Sequence, residues 1–154
     1  MQSIILSDPS STEQIFAAVA DFVPPLKQNQ THLLLRNFRG ELISVSSRLR
    51  EMTPDSILLV NSDVSPGDLP RLTSSQPVIT YGCNPKATVT ASSIGETKMV
   101  CCIQRVLTLE DMSHLLPQEF PFPLKGRSVS ACLAAICILL YSFGESFLSF
   151  EFQE

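Results

Sequence analysis

Short runs of consecutive apolar residues recur along the first half of this chain: Ile4-Ile5-Leu6, Leu33-Leu34-Leu35, Ile57-Leu58-Leu59-Val60 and Val78-Ile79. A strand with one wet face alternates apolar and polar residues, because successive side chains point to opposite faces; consecutive apolar residues mean strands covered on both sides. Segments of helical spacing lie between the runs. After Asp8-Pro9-Ser10-Ser11, residues Ile15, Phe16, Val19, Ala20 and Phe22 share one helical face. Ser10 with Glu13, or Ser11 with Gln14, fits a capping box, and Pro24-Pro25 is the expected stop. Residues 44–52 repeat the helical pattern with Val45, Leu49 and Met52. Strands alternating with helices predict an α/β fold, a mostly parallel sheet flanked by helices.

The strands are expected at residues 3–7, 31–36, 56–61 and 77–81, with a short helical piece over 68–72 before the last of them. From Cys83 the pattern changes: residues 88–91, 98–107 and 119–124 read as strands joined by turns, a small antiparallel extension. Residues 128–143 form a helix that Gly144 ends, and Phe147, Leu148, Phe150 and Phe152 suggest a final strand. That helix is apolar on nearly every side. Such a helix is buried all round, or keeps one face for a second copy or another protein. With no internal repeat and no linker of useful length, residues 1–154 read as a single domain.

Composition excludes several classes of function. The net charge is −4 and no run of Lys or Arg builds the basic stripe that a phosphate backbone requires, so nucleic acid is not an expected partner. The longest apolar stretch, residues 129–143, falls short of the roughly 20 residues that cross a bilayer, so no membrane contact is expected. Met1 to Leu6 lacks the basic start and long apolar run of a signal peptide, which points to a cytoplasmic location. The five cysteines, Cys83, Cys101, Cys102, Cys132 and Cys137, show no C-x-x-C spacing and are expected as reduced, buried thiols. With His32 and His114 as the only histidines, neither a metal site nor any other cofactor is expected. Charged residues make up 17% of the chain, against a usual share of about 25%, so self-association or a partner protein is expected to cover some of the surface.

Two groups of residues are candidates for ligand binding. Asn61 and Asp63 stand where an expected parallel strand ends, and open α/β sheets bind ligands outside the carboxyl ends of their strands. The same two residue types also end strands by shaping turns. Lys125, Gly126, Arg127, Ser128 and Ser130 put two cations and two hydroxyls at a helix start, where unpaired N–H groups favour an anion. Ser128 as a plain N-cap is the alternative. No nucleophile and base stand at a recognisable spacing, so no residue is assigned a catalytic role.

Ile57-Leu58-Leu59-Val60-Asn61-Ser62-Asp63, then Val78-Ile79-Thr80-Tyr81-Gly82, resembles the second half of the central ATP-binding domain of Mur ligases. In that family one strand ends in Asn-x-Asp-Asp and a later one in Phe/Tyr-Gly. Residues 87–94 resemble the family's Ala-Asp-Val and the hairpin after it, and Leu124-Lys125-Gly126-Arg127-Ser128-Val129-Ser130-Ala131 resembles its Leu-x-Gly-x-His-Asn-x-x-Asn helix start. The likeness spans residues 56–144 and implies a Rossmann-like sheet and a role in cell-wall peptidoglycan precursor synthesis.

The departures decide what the resemblance implies about activity. No Gly-Lys-Thr/Ser phosphate loop occurs in the chain. The second Asp of the first motif is Val64, the family's His and Asn fall on Arg127 and Ser128 after a one-residue deletion, and its later Asn falls on Ala131. ATP-dependent amide ligation is therefore not expected of this chain alone, and the family's domain for the incoming amino acid has no counterpart here. The expected function is a non-catalytic binding or assembly module. The alternatives are a ligase subunit or fragment that takes its phosphate loop from another chain, and a domain that binds a nucleotide, a sugar nucleotide or another anionic ligand.

Overall fold

The computed structural model describes residues 3–6, 12–26, 34–37, 57–63, 78–109 and 111–149. The first elements are β1 (Ser3–Leu6), α1 (Thr12–Leu26), β2 (Leu34–Asn37), β3 (Ile57–Asn61) and β4 (Val78–Tyr81). They are followed by β5 (Val89–Ile94), β6 (Lys98–Ile103), β7 (Leu107–Thr108), β8 (His114–Leu115), β9 (Gln118–Pro123), α2 (Val129–Phe143) and α3 (Glu145–Leu148). Among the described residues seven strands form one sheet in the order β2-β1-β3-β4-β5-β6-β9. Its first five strands are parallel: β1 to β4 carry the apolar runs that predict a parallel sheet, whereas β5, expected wholly within the antiparallel part, pairs in parallel with β4 before β6 turns back along it. The expected antiparallel extension follows, with β6 antiparallel to β5 and β9 antiparallel to β6.

Two features of this order position the site. Because β2 and β3 flank β1 on opposite sides, the direction of winding reverses at β1, where open α/β sheets form their crevice. The carboxyl ends of β1, β3 and β4 share one edge, since Leu6 pairs with Leu59 and Asn61 with Tyr81. β5 meets β4 only at Tyr81 and Val89, so β5, β6 and β9 rise past that edge.

α2 packs on β3, β4 and β5 and against α1 and α3. Ser128 opens it with extended backbone, its Oγ accepting the Ala131 N–H at 3.1 Å. Gly144, at φ +55°, closes it by donating its N–H to the Leu140 carbonyl at 2.8 Å. Every residue from Ala131 to Tyr141 is buried, so the chain itself covers this helix on all sides and leaves no face of that stretch for a second copy. Each of its Leu and Ile side chains contributes about 1.5–3 kcal/mol relative to exposure in water. Phe147 meets Phe22, Phe120 and Phe122 at ring-centroid distances of 5.6, 5.8 and 6.3 Å, tying α3 to α1 and β9.

Several local expectations are corrected. α1 continues through Pro24-Pro25 and ends one residue beyond them at Leu26; the fixed φ of proline is helical, although neither nitrogen can donate to the turn before. The run expected as one strand over 98–107 breaks after Ile103, where Gln104 and Arg105 turn to hold a neighbouring loop. His114, which the polar run after Glu110-Asp111 places in a turn, lies instead in β8, its Nδ1 3.1 Å from Thr108 Oγ1. Phe147 and Leu148 belong to the helix α3, not to a strand, because the aromatic cluster draws Phe147 inward. Cys101, Cys132 and Cys137 are buried as expected and Cys102 is half-buried, but Cys83 is exposed. The helices expected over 44–52 and 68–72, the caps Ser10 and Ser11, His32, and the tail residues Phe150 and Phe152 lie outside the described residues.

Candidate functional site

β3 delivers Asn61, Ser62 and Asp63 to the carboxyl edge of the sheet. Asn61 and Ser62 are buried there, and buried polar groups require partners. Asn61 Oδ1 accepts the Asp63 N–H at 3.0 Å, the local turn that this residue type favours. Its Nδ2 donates to Ser130 Oγ at 3.2 Å, across 69 residues of sequence. The two groups nominated from the sequence, the β3 end and the α2 start, therefore meet at this contact.

On its other side the β3 end is tied to the loop that follows β4. Asp63 Oδ2 accepts the Cys83 N–H at 2.9 Å and Oδ1 accepts from Asn84 Nδ2 at 2.6 Å. Asn84 Nδ2 also donates to Ser62 Oγ at 2.8 Å, and Ser62 Oγ donates to the Tyr81 carbonyl at 3.1 Å. This knot closes over Gly82, whose φ of +151° is a backbone state that side chains rarely adopt. A Cβ at Gly82 would lie 2.9 Å from Asp63 Cγ and Ser62 Oγ, so glycine is what lets the β3 turn and the β4 loop touch. From the far side, Gln104 Nε2 donates to the carbonyls of Asn84 and Ala87, and Arg105 donates to those of Pro85 and Lys86.

The α2 start is occupied in the same manner. Lys125 and Gly126, at φ +51° and +74°, form the turn before the helix. The Arg127 guanidinium lies 2.8 Å from Asp21 of α1, and Lys125 Nζ lies 3.7 Å from the same carboxylate oxygen. The Ser128 N–H donates to Gln14 Oε1 at 2.7 Å, so Gln14 serves the start of α2. Lys125, Arg127 and the Ser128 N–H thus already face oxygens of the protein, Ser130 Oγ accepts from Asn61, and Ser128 acts as the N-cap.

Cys83, whose N–H joins the knot, also brings a thiol beside it. Its thiol is raised above its ordinary pKa by burial first and by the Asp63 charge second, which keeps it protonated and slow to react. Elsewhere, an open hollow of about 430 Å³ lies between the loop after β7 and the end of α2, with Asp111, Ser113, Tyr141 and Glu145 in its lining. Ser142 Oγ, in the same wall, is sealed from solvent without a hydrogen-bond partner. Among the described residues no three His, Cys, Asp or Glu side chains stand close enough to hold a metal ion, and no helix is long and apolar enough to cross a membrane.

Sequence reasoning placed Asn61, Asp63, Lys125, Arg127, Ser128 and Ser130 at the correct ends of their elements. It missed Ser62, Gly82, Asn84, Gln104, Gln14 and Asp21. Gly82-Cys83-Asn84-Pro85 does carry a signal, since Gly, Asn and Pro together after a strand mark a shaped loop. Gln14 and Asp21 carry none, being ordinary polar residues of an amphipathic helix. Neither a scan of protein-family models nor a search of curated proteins finds a match to this chain.

Proposed function

We propose that this chain is a non-catalytic binding or assembly module on a degenerate Mur-ligase-like, Rossmann-like central domain, working in the cytoplasm beside a true ligase of cell-wall precursor synthesis. One observation carries the reading: the polar groups at the ligand edge of the sheet are engaged with one another. Asp63 accepts from Cys83 and Asn84, Asn61 bonds the Asp63 N–H and Ser130, and Asp21 neutralises Arg127. A site kept for substrate holds donors ready for it, whereas a knot of satisfied hydrogen bonds stabilises a surface. The parallel sheet with its antiparallel extension supports the family likeness, which remains an argument from fold alone. The segment joining β1 to α1, Ser7-Asp8-Pro9-Ser10-Ser11, contains neither the glycines nor the lysine of a phosphate loop.

A second reading, a nucleotide- or sugar-nucleotide-binding domain, is favoured by the convergence of the β3 and β4 ends with the α2 start beside the point where winding reverses. A ligand that binds only the folded state raises apparent stability by mass action. The deciding experiment is thermal unfolding with and without millimolar ATP–Mg²⁺ and UDP-sugars, with the mass in solution read by light scattering. The assembly reading expects no shift and a mass above that of the monomer. A rise of several degrees that Arg127→Ala abolishes would replace it with the binding reading, and a monomeric mass without any shift would remove self-association from it.

A further inference from the structure

Among the described residues β9 is an outer strand of the seven-stranded sheet, paired on one side with β6. In an antiparallel pair alternate residues turn their N–H and C=O groups toward the partner, and those between turn theirs away. Leu124, which continues β9, donates its N–H to the Thr97 carbonyl at 2.9 Å, on the β6 side. By alternation Gln118, Phe120 and Phe122 also bond toward β6, and Glu119, Pro121 and Pro123 turn their backbone groups to the open edge. The register agrees, since Val100 pairs with Pro121 and Lys98 with Pro123, and proline has no N–H to offer β6. The edge therefore presents carbonyls at 119, 121 and 123 but a single N–H, at Glu119.

We infer that Pro121 and Pro123 close the β9 edge to strand addition, so that a second copy of this chain, or an extended peptide, must associate through another surface. An added strand needs donors and acceptors in alternation along the edge it joins. This edge lacks two of its three donors, and Glu119 adds an exposed charge beside the third. The rest of the strand is what such a safeguard has to restrain: Phe120 and Phe122 alternate along it, and an outer strand with apolar alternation is a template for pairing. The prolines break no bond to β6, because their nitrogens face away from it.

The test is the Pro121→Thr/Pro123→Thr variant, which restores both donors, compared with wild type for mass by light scattering over a range of concentrations. The expected result is a mass that rises with concentration to about twofold that of wild type or beyond, as pairing of two edges requires. The new amides at 121 and 123 should then exchange with solvent more slowly than the Glu119 amide of wild type. Either single variant should give a smaller rise. A folded double variant with the wild-type mass at every concentration overturns the inference. So does a double variant without a cooperative melt, because the prolines would then be needed for the strand itself and not for its edge.

Discussion

Gly82→Ala is the sharpest test of the knot at the sheet edge. Two costs add at this position. The backbone stands at φ +151°, where an L-residue is strained by about 1–3 kcal/mol. The new Cβ would also lie 2.9 Å from Asp63 Cγ and Ser62 Oγ, which pushes the carboxylate away from the Cys83 N–H and the Asn84 amide. Each hydrogen bond weakened in this way costs about 0.5–1.5 kcal/mol, less where water replaces the partner, so the expected total is about 2–4 kcal/mol. In a chain of this size that is a fall in Tm of about 5–15 °C. Gly126→Ala separates the two causes. Gly126 has φ +74°, but nothing lies within 4 Å of the point where a Cβ would stand, so strain acts alone and about 1 kcal/mol is expected. Urea unfolding followed by circular dichroism reads both variants, with an unchanged m-value as the check on a common unfolded state. If Gly82→Ala loses no more stability than Gly126→Ala, the close approach of the β3 turn to the β4 loop is not what this glycine is for.

Phe147→Ala should cost about 3–5 kcal/mol, because it empties a fully buried position packed against three other rings; a loss under about 1 kcal/mol in urea would mean that α3 does not hold the core. A thiol reagent should modify Cys83 first and Cys102 more slowly, whereas Cys101 and Cys137, raised by burial, and Cys132, pushed up to about 11 by burial against the opposing pull of Arg127, should react only on unfolding; rapid labelling of Cys137 in the native state would contradict the burial of α2. Asp111 is held below the ordinary carboxylate pKa by the Ser113 hydroxyl and then by the Ser113 N–H, so the stability it contributes is present above the unfolded value, about 4, and is lost as pH falls through the lower folded value. Ser113→Ala should bring its NMR titration back toward that ordinary value, and an unchanged midpoint would remove the hydroxyl as the cause.

Much of the architecture was legible from local pattern. Consecutive apolar residues such as Leu58, Leu59 and Val60 announce strands covered on both faces, and Ser128 and Gly144 mark the limits of α2, because strand burial and helix capping depend on neighbours a few residues apart. Asn61 and Asp63 came to the right edge for the same reason: a strand's end follows from its own length. The missed local details had tertiary causes. Phe147 turned into a helix because Phe22, Phe120 and Phe122 offered it a place.

The site's partners belong to long-range packing. Gln14 reaches Ser128 across 114 residues, and Asn61 reaches Ser130 across 69. Nothing in the composition of α1 says that Asp21 will face Arg127; that depends on which helices share a face of the sheet and in what register they pack. Local residue pattern thus specified the elements and the edge on which a ligand would be sought. Packing of α1 against α2 and of the β4 loop against the β3 turn specified that the polar groups on that edge satisfy each other, because side-chain hydrogen bonds form only between groups that the completed fold brings within about 3 Å.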